Sequence, residues 1–253
     1  MGALVLWDVD YTLINAGGVG KHLYGLVFRD LFGRDLPGIA PVAGRTDRAI
    51  ILETLALAGI PGPRDHVESF LAGMAARAPA LFDLARKRGR ILPGAGAALT
   101  ALAGHVQSVL TGNTRALAEV KVRSLGLDKH LDLAIGAYGD HHEVRAELVH
   151  DARRRAGRAY GRDFAGEATV LVGDTPLDVA AALATGARAV GVATGSWTCA
   201  ELSAAGAHAV LPDLTNTPAV LTAILALTPA PPPGVPPRHD HGGLSRAARY
   251  KPP

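Results

Sequence analysis

The stretch Ala3-Leu4-Val5-Leu6-Trp7-Asp8-Val9-Asp10-Tyr11-Thr12-Leu13 restricts what this chain can fold into more than any other. Five apolar residues end abruptly in two carboxylates placed two positions apart. A continuous apolar run bounded by polar turn residues predicts a strand buried on both faces, as in a parallel sheet. Loops at the carboxyl ends of such strands overlook the crevice where ligands bind. Two acids held there repel each other unless a cation stands between them or one keeps a proton. Taken alone, the same residues also describe an acidic turn in which Asp10 or Thr12 caps a following helix.

Three later stretches repeat the strand-then-polar-loop pattern. His105 to Leu110 predicts a second strand, ending in Thr111-Gly112-Asn113-Thr114 and followed by a helix with Leu117, Val120 and Leu125 on its apolar stripe. Strand, TGNT loop and helix together form a phosphate-binding geometry, with backbone N–H groups at the helix N-terminus and the Thr111 hydroxyl beside them. Asp132 to Gly136 predicts a third strand, leading to a long polar-faced helix from about Glu143. Thr169 to Gly173 predicts a fourth, after which Asp174 and Asp178 lie four apart across a turn where Pro176 starts a helix. Ala187 to Val192 and Ala209 to Leu211 add two short strands, and Leu214 to Leu227 a last helix.

Between the first strand and Leu92 the periodicity is helical only. Leu23, Leu26, Val27 and Leu31 share one face before Gly33, and Ile50, Ile51, Leu55 and Ala58 share another after the loop Gly44-Arg45-Thr46-Asp47. Thr46 or Asp47 is the expected cap of that second helix. A further helix, or a pair broken near Pro79, runs from about Asp65 to Arg88. The fold class is therefore α/β: a Rossmann-like parallel sheet core with helices on both faces, plus an inserted all-helical cap. Residues 1–15 and 92–228 make the core, 16–91 the cap, and 229–253, with eight prolines, a disordered tail.

These motifs, in this order, resemble the haloacid dehalogenase superfamily, specifically its phosphatase branch with a small helical cap, over about residues 3–227. Asp8-x-Asp10-x-Thr12 followed by Leu13 matches the first motif, Thr111 the second, and Gly173-Asp174-x-x-x-Asp178 the fourth. The third is a single cation, and Arg145 is chosen for it; Lys121 competes but is expected two turns into a helix, away from the strand ends. The resemblance implies Asp8 as nucleophile, forming an aspartyl-phosphate, and Asp10 as the acid and base that serves the leaving alcohol and then water. It implies one Mg²⁺ held by Asp8, the Asp10 backbone carbonyl and Asp174, with Asp178 supporting these ligands from behind or acting through water. Thr111 and Arg145 would stabilise the transferring phosphoryl group, with Thr12, Gly112 and Asn113 binding substrate beside them. Arg45 and Arg48 would face the substrate from the cap. Tyr11 departs from the family pattern, where glycine is frequent, so the turn beside the nucleophile is expected to differ in shape or access.

The implied substrate is a small phosphorylated metabolite. A sugar phosphomutase of the β-phosphoglucomutase type would use the same core and a similar cap. A dehalogenase would share Asp8 without needing Asp10 or the metal, and a non-catalytic binding protein would not need all four acids intact. Composition limits the remaining classes. The formal charge of the whole chain is +3, and Arg238, Arg246, Arg249 and Lys251 against Asp240 put that same +3 in the tail. The body is therefore neutral, and a nucleic-acid partner is not expected. No apolar stretch reaches the length of a membrane span, no basic region precedes the first apolar run, and Cys199 is the single cysteine. A cytoplasmic protein without disulfides is the expectation.

Overall fold

A computed structural model describes residues 2–227, so the expected tail lies outside the described residues. In chain order it contains β1 (Leu4–Trp7), β2 (Ile14–Asn15), α1 (Val19–Phe32), α2 (Asp47–Leu57), α3 (Val67–Arg77), α4 (Phe82–Arg88), β3 (Arg90–Ile91) and α5 (Ala95–Ala101). There follow β4 (Val106–Thr111), α6 (Arg115–Ser124), β5 (Ala137–Tyr138), α7 (Arg145–Tyr160), β6 (Thr169–Gly173), α8 (Pro176–Ala184), β7 (Arg188–Val192), α9 (Cys199–Ala204), β8 (Ala209–Leu211) and α10 (Thr217–Leu225).

Six strands form one sheet in the order β5-β4-β1-β6-β7-β8, and every pair in it is parallel. β1 is central, and all four of its residues are buried. Val5 and Trp7 pack on one face with α5, α6 and α10, while Leu4 and Leu6 pack on the other with α7, α8 and α9. A strand with apolar partners on both faces has no position to spare for polar alternation, which is why its sequence reads as a continuous run.

Register brings the functional loops together. Trp7 pairs with Val109 on one side and Val172 on the other. Asp8, one residue beyond Trp7, and Thr111 and Asp174, two beyond Val109 and Val172, therefore emerge at one edge of the sheet. The chain goes from β1 to β4 and β5 on one side, then returns across β1 to β6, β7 and β8. Such a reversal opens a crevice beyond the carboxyl ends of the central strands.

Three expectations need correction. The third strand is Ala137–Tyr138 rather than Asp132–Gly136. Residues 132–136 instead make a turn: Asp132 N donates to Gln107 O, and the Asp132 side chain accepts from Ala134 N. An aspartate that captures a nearby backbone N–H favours a turn over a ladder. The region between β1 and Leu92 is not wholly helical either. Ile14–Asn15 and Arg90–Ile91 pair antiparallel, so the two links to the helical insertion run side by side. Gly17, at φ +59°, makes this close approach possible, because a Cβ there would lie 2.4 Å from the Arg88 carbonyl oxygen. Third, the loop after Trp197 contains a helix of six residues, α9, with Cys199 as its exposed first residue.

The insertion has its own apolar cluster, in which Tyr24, Phe28, Ile51, Leu55, Phe70 and Met74 are buried. Leu117 and Val120 of α6 belong to the same cluster. α6 is thus shared, one face supporting the sheet and the other receiving the insertion.

Candidate active site

Asp8 follows β1 directly and is 6% exposed. Its Oδ1 accepts from Arg145 Nη2 at 2.8 Å, and the same Nη2 lies 2.5 Å from Asp178 Oδ1. Arg145 begins α7, nearly buried, and its Nη1 donates to the Gly44 carbonyl of the insertion at 3.2 Å. Among the described residues its Nε has no hydrogen-bond partner. A planar fork that meets two carboxylates and a carbonyl is a role for which lysine is a poor substitute.

Asp174 follows β6, and the fully buried Thr12 hydroxyl donates to its Oδ1 at 3.4 Å. Thr12 therefore supports a carboxylate from behind. Asp178 is held by a capping box: Thr175 caps α8 by accepting from Asp178 N, while Thr175 N and Oγ1 donate to Asp178 Oδ2 at 3.1 and 2.7 Å. One Asp178 oxygen thus fixes the helix start and the other faces Arg145. Helix capping and site geometry are here the same interaction.

Asp8, Asp174 and Asp178 each offer an oxygen, with these atoms all within 4.8 Å of one another. Burial raises the Asp8 pKa to about 7; Arg145 opposes this and Asp178 adds to it. Burial, then Asp8 and Asp178, raise Asp174 to about 8. For Arg145, burial works against the charge, but Asp178 and Asp8 outweigh it and hold the guanidinium well above its ordinary value. One guanidinium among three buried carboxylates leaves negative charge uncompensated. An all-oxygen donor set of this kind suits a hard divalent cation.

Asp10 points elsewhere. Its Oδ2 accepts from Asn113 Nδ2 at 2.7 Å and from Lys121 Nζ at 2.6 Å, and Lys121 Nζ also donates to Asn113 Oδ1 at 2.7 Å. Lys121 is 4% exposed. The expectation that it lies away from the strand ends is wrong. Long side chains on a helix lean toward its N-terminus, so a lysine two turns into α6 reaches back to the loop from which the helix starts. The spacing of Asn113, Leu117 and Lys121 along one helical face was the signal that could have found it. The site holds two cations, Arg145 on the Asp8 side and Lys121 on the Asp10 side.

The TGNT loop is less open than its sequence implies. Thr111 Oγ1 accepts from Asn113 N and Nδ2, at 3.3 and 2.8 Å. Thr114 N donates to Asp47 Oδ2 at 2.7 Å, and Arg115 N donates to Asp140 Oδ2 at 3.3 Å. Three of the N–H groups expected to face a ligand, those of Asn113, Thr114 and Arg115, are therefore already taken. Gly112 lies under the insertion: its carbonyl accepts from Asp47 N at 2.6 Å, and a Cβ on it would stand 1.9 Å from Arg45 O.

The loop 44–48 makes most of this contact, with Thr46 Oγ1 donating to Glu143 O and Arg48 N to Gly139 O. Thr46, not Asp47, caps α2. Asp47 was missed as a site residue. It is 5% exposed, and it also accepts from the Tyr24 hydroxyl at 2.8 Å. Burial raises its pKa to about 6 against the lowering effect of Thr114 N–H and Tyr24. The two arginines expected to face substrate are turned away: Arg45 pairs with Glu53 and donates to Pro41 O, and Arg48 pairs with Glu68 and donates to Asp140 O.

Residues 5–183 match the family model of haloacid dehalogenase-like hydrolases. The plasmid-encoded phosphoglycolate phosphatase of Cupriavidus necator is 30% identical over 226 residues, covering 86% of this chain and 92% of the relative. Among solved structures, a protein from Bacteroides fragilis described as a haloacid dehalogenase-like hydrolase superposes with a TM-score of 0.61 at 21% identity, covering 85% of this chain and 99% of that one. One from Bacteroides vulgatus described as a beta-phosphoglucomutase gives 0.61 at 16% identity, covering 89% and 90%.

Proposed function

Because this chain belongs to the haloacid dehalogenase-like hydrolase family, in its phosphatase branch, we propose that it is a Mg²⁺-dependent phosphatase acting on a small phosphomonoester through an aspartyl-phosphate. The observation that carries this reading is the separation of Asp8 from Asp10. Asp8 faces Asp174, Asp178 and Arg145, whereas Asp10 faces Asn113 and Lys121. Two acids at the mouth of one strand thus have different surroundings, which suits a nucleophile beside a proton carrier.

In this mechanism an Asp8 oxygen attacks phosphorus, and the bond to the leaving oxygen breaks with its electron pair. Asp10 gives that oxygen a proton. With Oδ2 fixed by Asn113 and Lys121, Oδ1 is the oxygen that exchanges it. Water then loses a proton to Asp10 and attacks phosphorus, and the Asp8–phosphorus bond breaks to return the carboxylate. Arg145, whose Nε has no partner among the described residues, and the Thr111-Gly112-Asn113 loop stabilise the phosphoryl oxygens. Asp8, the Asp10 backbone carbonyl and Asp174 would hold Mg²⁺, with Asp178 behind them; the ion supplies neutralisation of a dianionic ester among carboxylates. Arg45 reaches substrate only if it leaves Glu53.

The insertion, residues 16–91, is read as a cap closing over the core formed by 1–15 and 92–228. The hydrogen bonds of Thr46, Asp47 and Arg48 to core residues support this division. Phosphoglycolate is the first substrate to test, on the strength of the Cupriavidus relative. The single cysteine supports a cytoplasmic setting. Hydrolysis of p-nitrophenyl phosphate with Mg²⁺, with EDTA and with Asp8→Asn tests the reading. Turnover that requires the metal and is abolished in Asp8→Asn is expected. Undiminished turnover in Asp8→Asn would falsify the nucleophile assignment.

A further inference from the structure

We propose that Lys121 determines specificity for the leaving group, binding a carboxylate one or two carbons away from the ester oxygen of the substrate. The inference rests on the phosphatase reading and assigns a substrate class to it: short phosphorylated hydroxycarboxylic acids.

The argument begins with the cations near the site. Arg145 is committed to Asp8, Asp178 and the Gly44 carbonyl. Arg45 is paired with Glu53 and Arg48 with Glu68. Lys121 is the cation that stands beside Asp10, the acid on the leaving-group side. An ammonium has three protons. Two are used, by Asp10 Oδ2 at 2.6 Å and Asn113 Oδ1 at 2.7 Å, and among the described residues the third has no acceptor. A buried ammonium with a spare donor is costly unless an acceptor completes it.

Lys121 lies where α6 meets the insertion, opposite Gly20 on α1, and a Cβ on Gly20 would be 3.8 Å from Nζ. Gly20 thus sets no side chain against the ammonium. The charged groups that face Lys121 are Asp10 from the β1 loop and Asp47 from α2. Asp47 is occupied by Tyr24 and Thr114, so it does not compete for the third proton. An ester oxygen bonded to Asp10 and an anionic oxygen bonded to Lys121, each at about 2.7–2.9 Å, are held close enough together to be spanned by one or two carbons.

The test compares 2-phosphoglycolate with ethyl phosphate, which has the same alkyl length and no carboxylate. kcat/KM for both is measured with Mg²⁺ in the wild type, Lys121→Met, Lys121→Gln and Lys121→Arg. Losing a charge-assisted hydrogen bond is expected to cost on the order of 10- to 100-fold. In Lys121→Met and Lys121→Gln the preference for phosphoglycolate over ethyl phosphate should fall by that factor, mostly through KM, and Lys121→Arg should restore part of it. Equal losses on both esters would mean that Lys121 only positions Asp10, and would overturn the proposal while leaving the phosphatase intact. So would a wild type that hydrolyses both without preference. A wild type that hydrolyses neither ester nor p-nitrophenyl phosphate would overturn the phosphatase reading itself, and the inference with it. If Lys121→Met does not fold, the ratio in Lys121→Gln decides.

Discussion

Tyr11 carries the turn after β1 at φ +57°, the one non-glycine residue with positive φ among the described residues. The turn keeps the backbone shape that glycine would give, and the tyrosine bears the strain. Its N–H donates to Ile14 O at 2.7 Å, and its carbonyl accepts from the Thr194 hydroxyl, so the shape is held from both sides. A left-handed non-glycine residue costs roughly 1–2 kcal/mol, while glycine loses more chain entropy on folding, by roughly 0.5–1 kcal/mol. The side chain is 50% exposed, so little burial is lost on removing it. Tyr11→Gly is therefore expected to stabilise the protein by about 0.5 kcal/mol in urea unfolding; a destabilisation of more than about 1 kcal/mol would show that the ring itself supports the turn. The departure from glycine was visible in the sequence. That the tyrosine itself is held in the left-handed region was not, because strain at one residue is tolerated when its neighbours fix the backbone.

At the scale of elements, α6 is capped by the insertion. Thr114 precedes the helix without a side-chain cap of its own, and its N–H is satisfied by Asp47 from α2. The same carboxylate takes the Tyr24 hydroxyl of α1, so one side chain joins two helices of the insertion to the start of a core helix. Asp47→Ala leaves two buried donors unsatisfied, each worth about 1–3 kcal/mol. A loss of about 2–4 kcal/mol in denaturant unfolding is expected, with a rise in KM as loop 44–48 loosens over the site. Asp47→Asn keeps an acceptor and should lose less. Equal effects of the two variants would sink the capping role. Patterning predicted α2 and its start, and Asp47 was visible as one of two candidate caps. Its true partner is 67 residues away, and a cap supplied across an interface leaves no local spacing to read.

Over the whole molecule, the acid cluster should couple stability to pH and to the proposed metal. Asp8 and Asp174 have native pKa values of about 7 and 8, against an ordinary value of 3.8. Between those limits the native state holds more protons than the unfolded state, so stability falls as pH rises. In EDTA the melting temperature should therefore drop from pH 5 to pH 8. The proposed Mg²⁺ would bind the ionised carboxylates of the native state, so its stabilisation should grow over the same range. A melting temperature indifferent to Mg²⁺ at pH 8 would argue against a metal at Asp8 and Asp174. The sequence by itself determined five of the six sheet strands, the largely helical insertion after the first motif, and the acids Asp8, Asp10, Asp174 and Asp178 near strand ends. Those features follow from local patterning and from the rule that parallel strands present their carboxyl ends together. Tertiary structure alone decided that Asp8 and Asp10 face different partners, that Arg45 and Arg48 turn away, and that Lys121 rather than a cap arginine stands beside Asp10. Each depends on where a long side chain ends after packing; helical spacing puts Lys121 on the face of Asn113, but its partner Asp10 and the other contacts lie up to 137 positions apart, where no sequence period reaches.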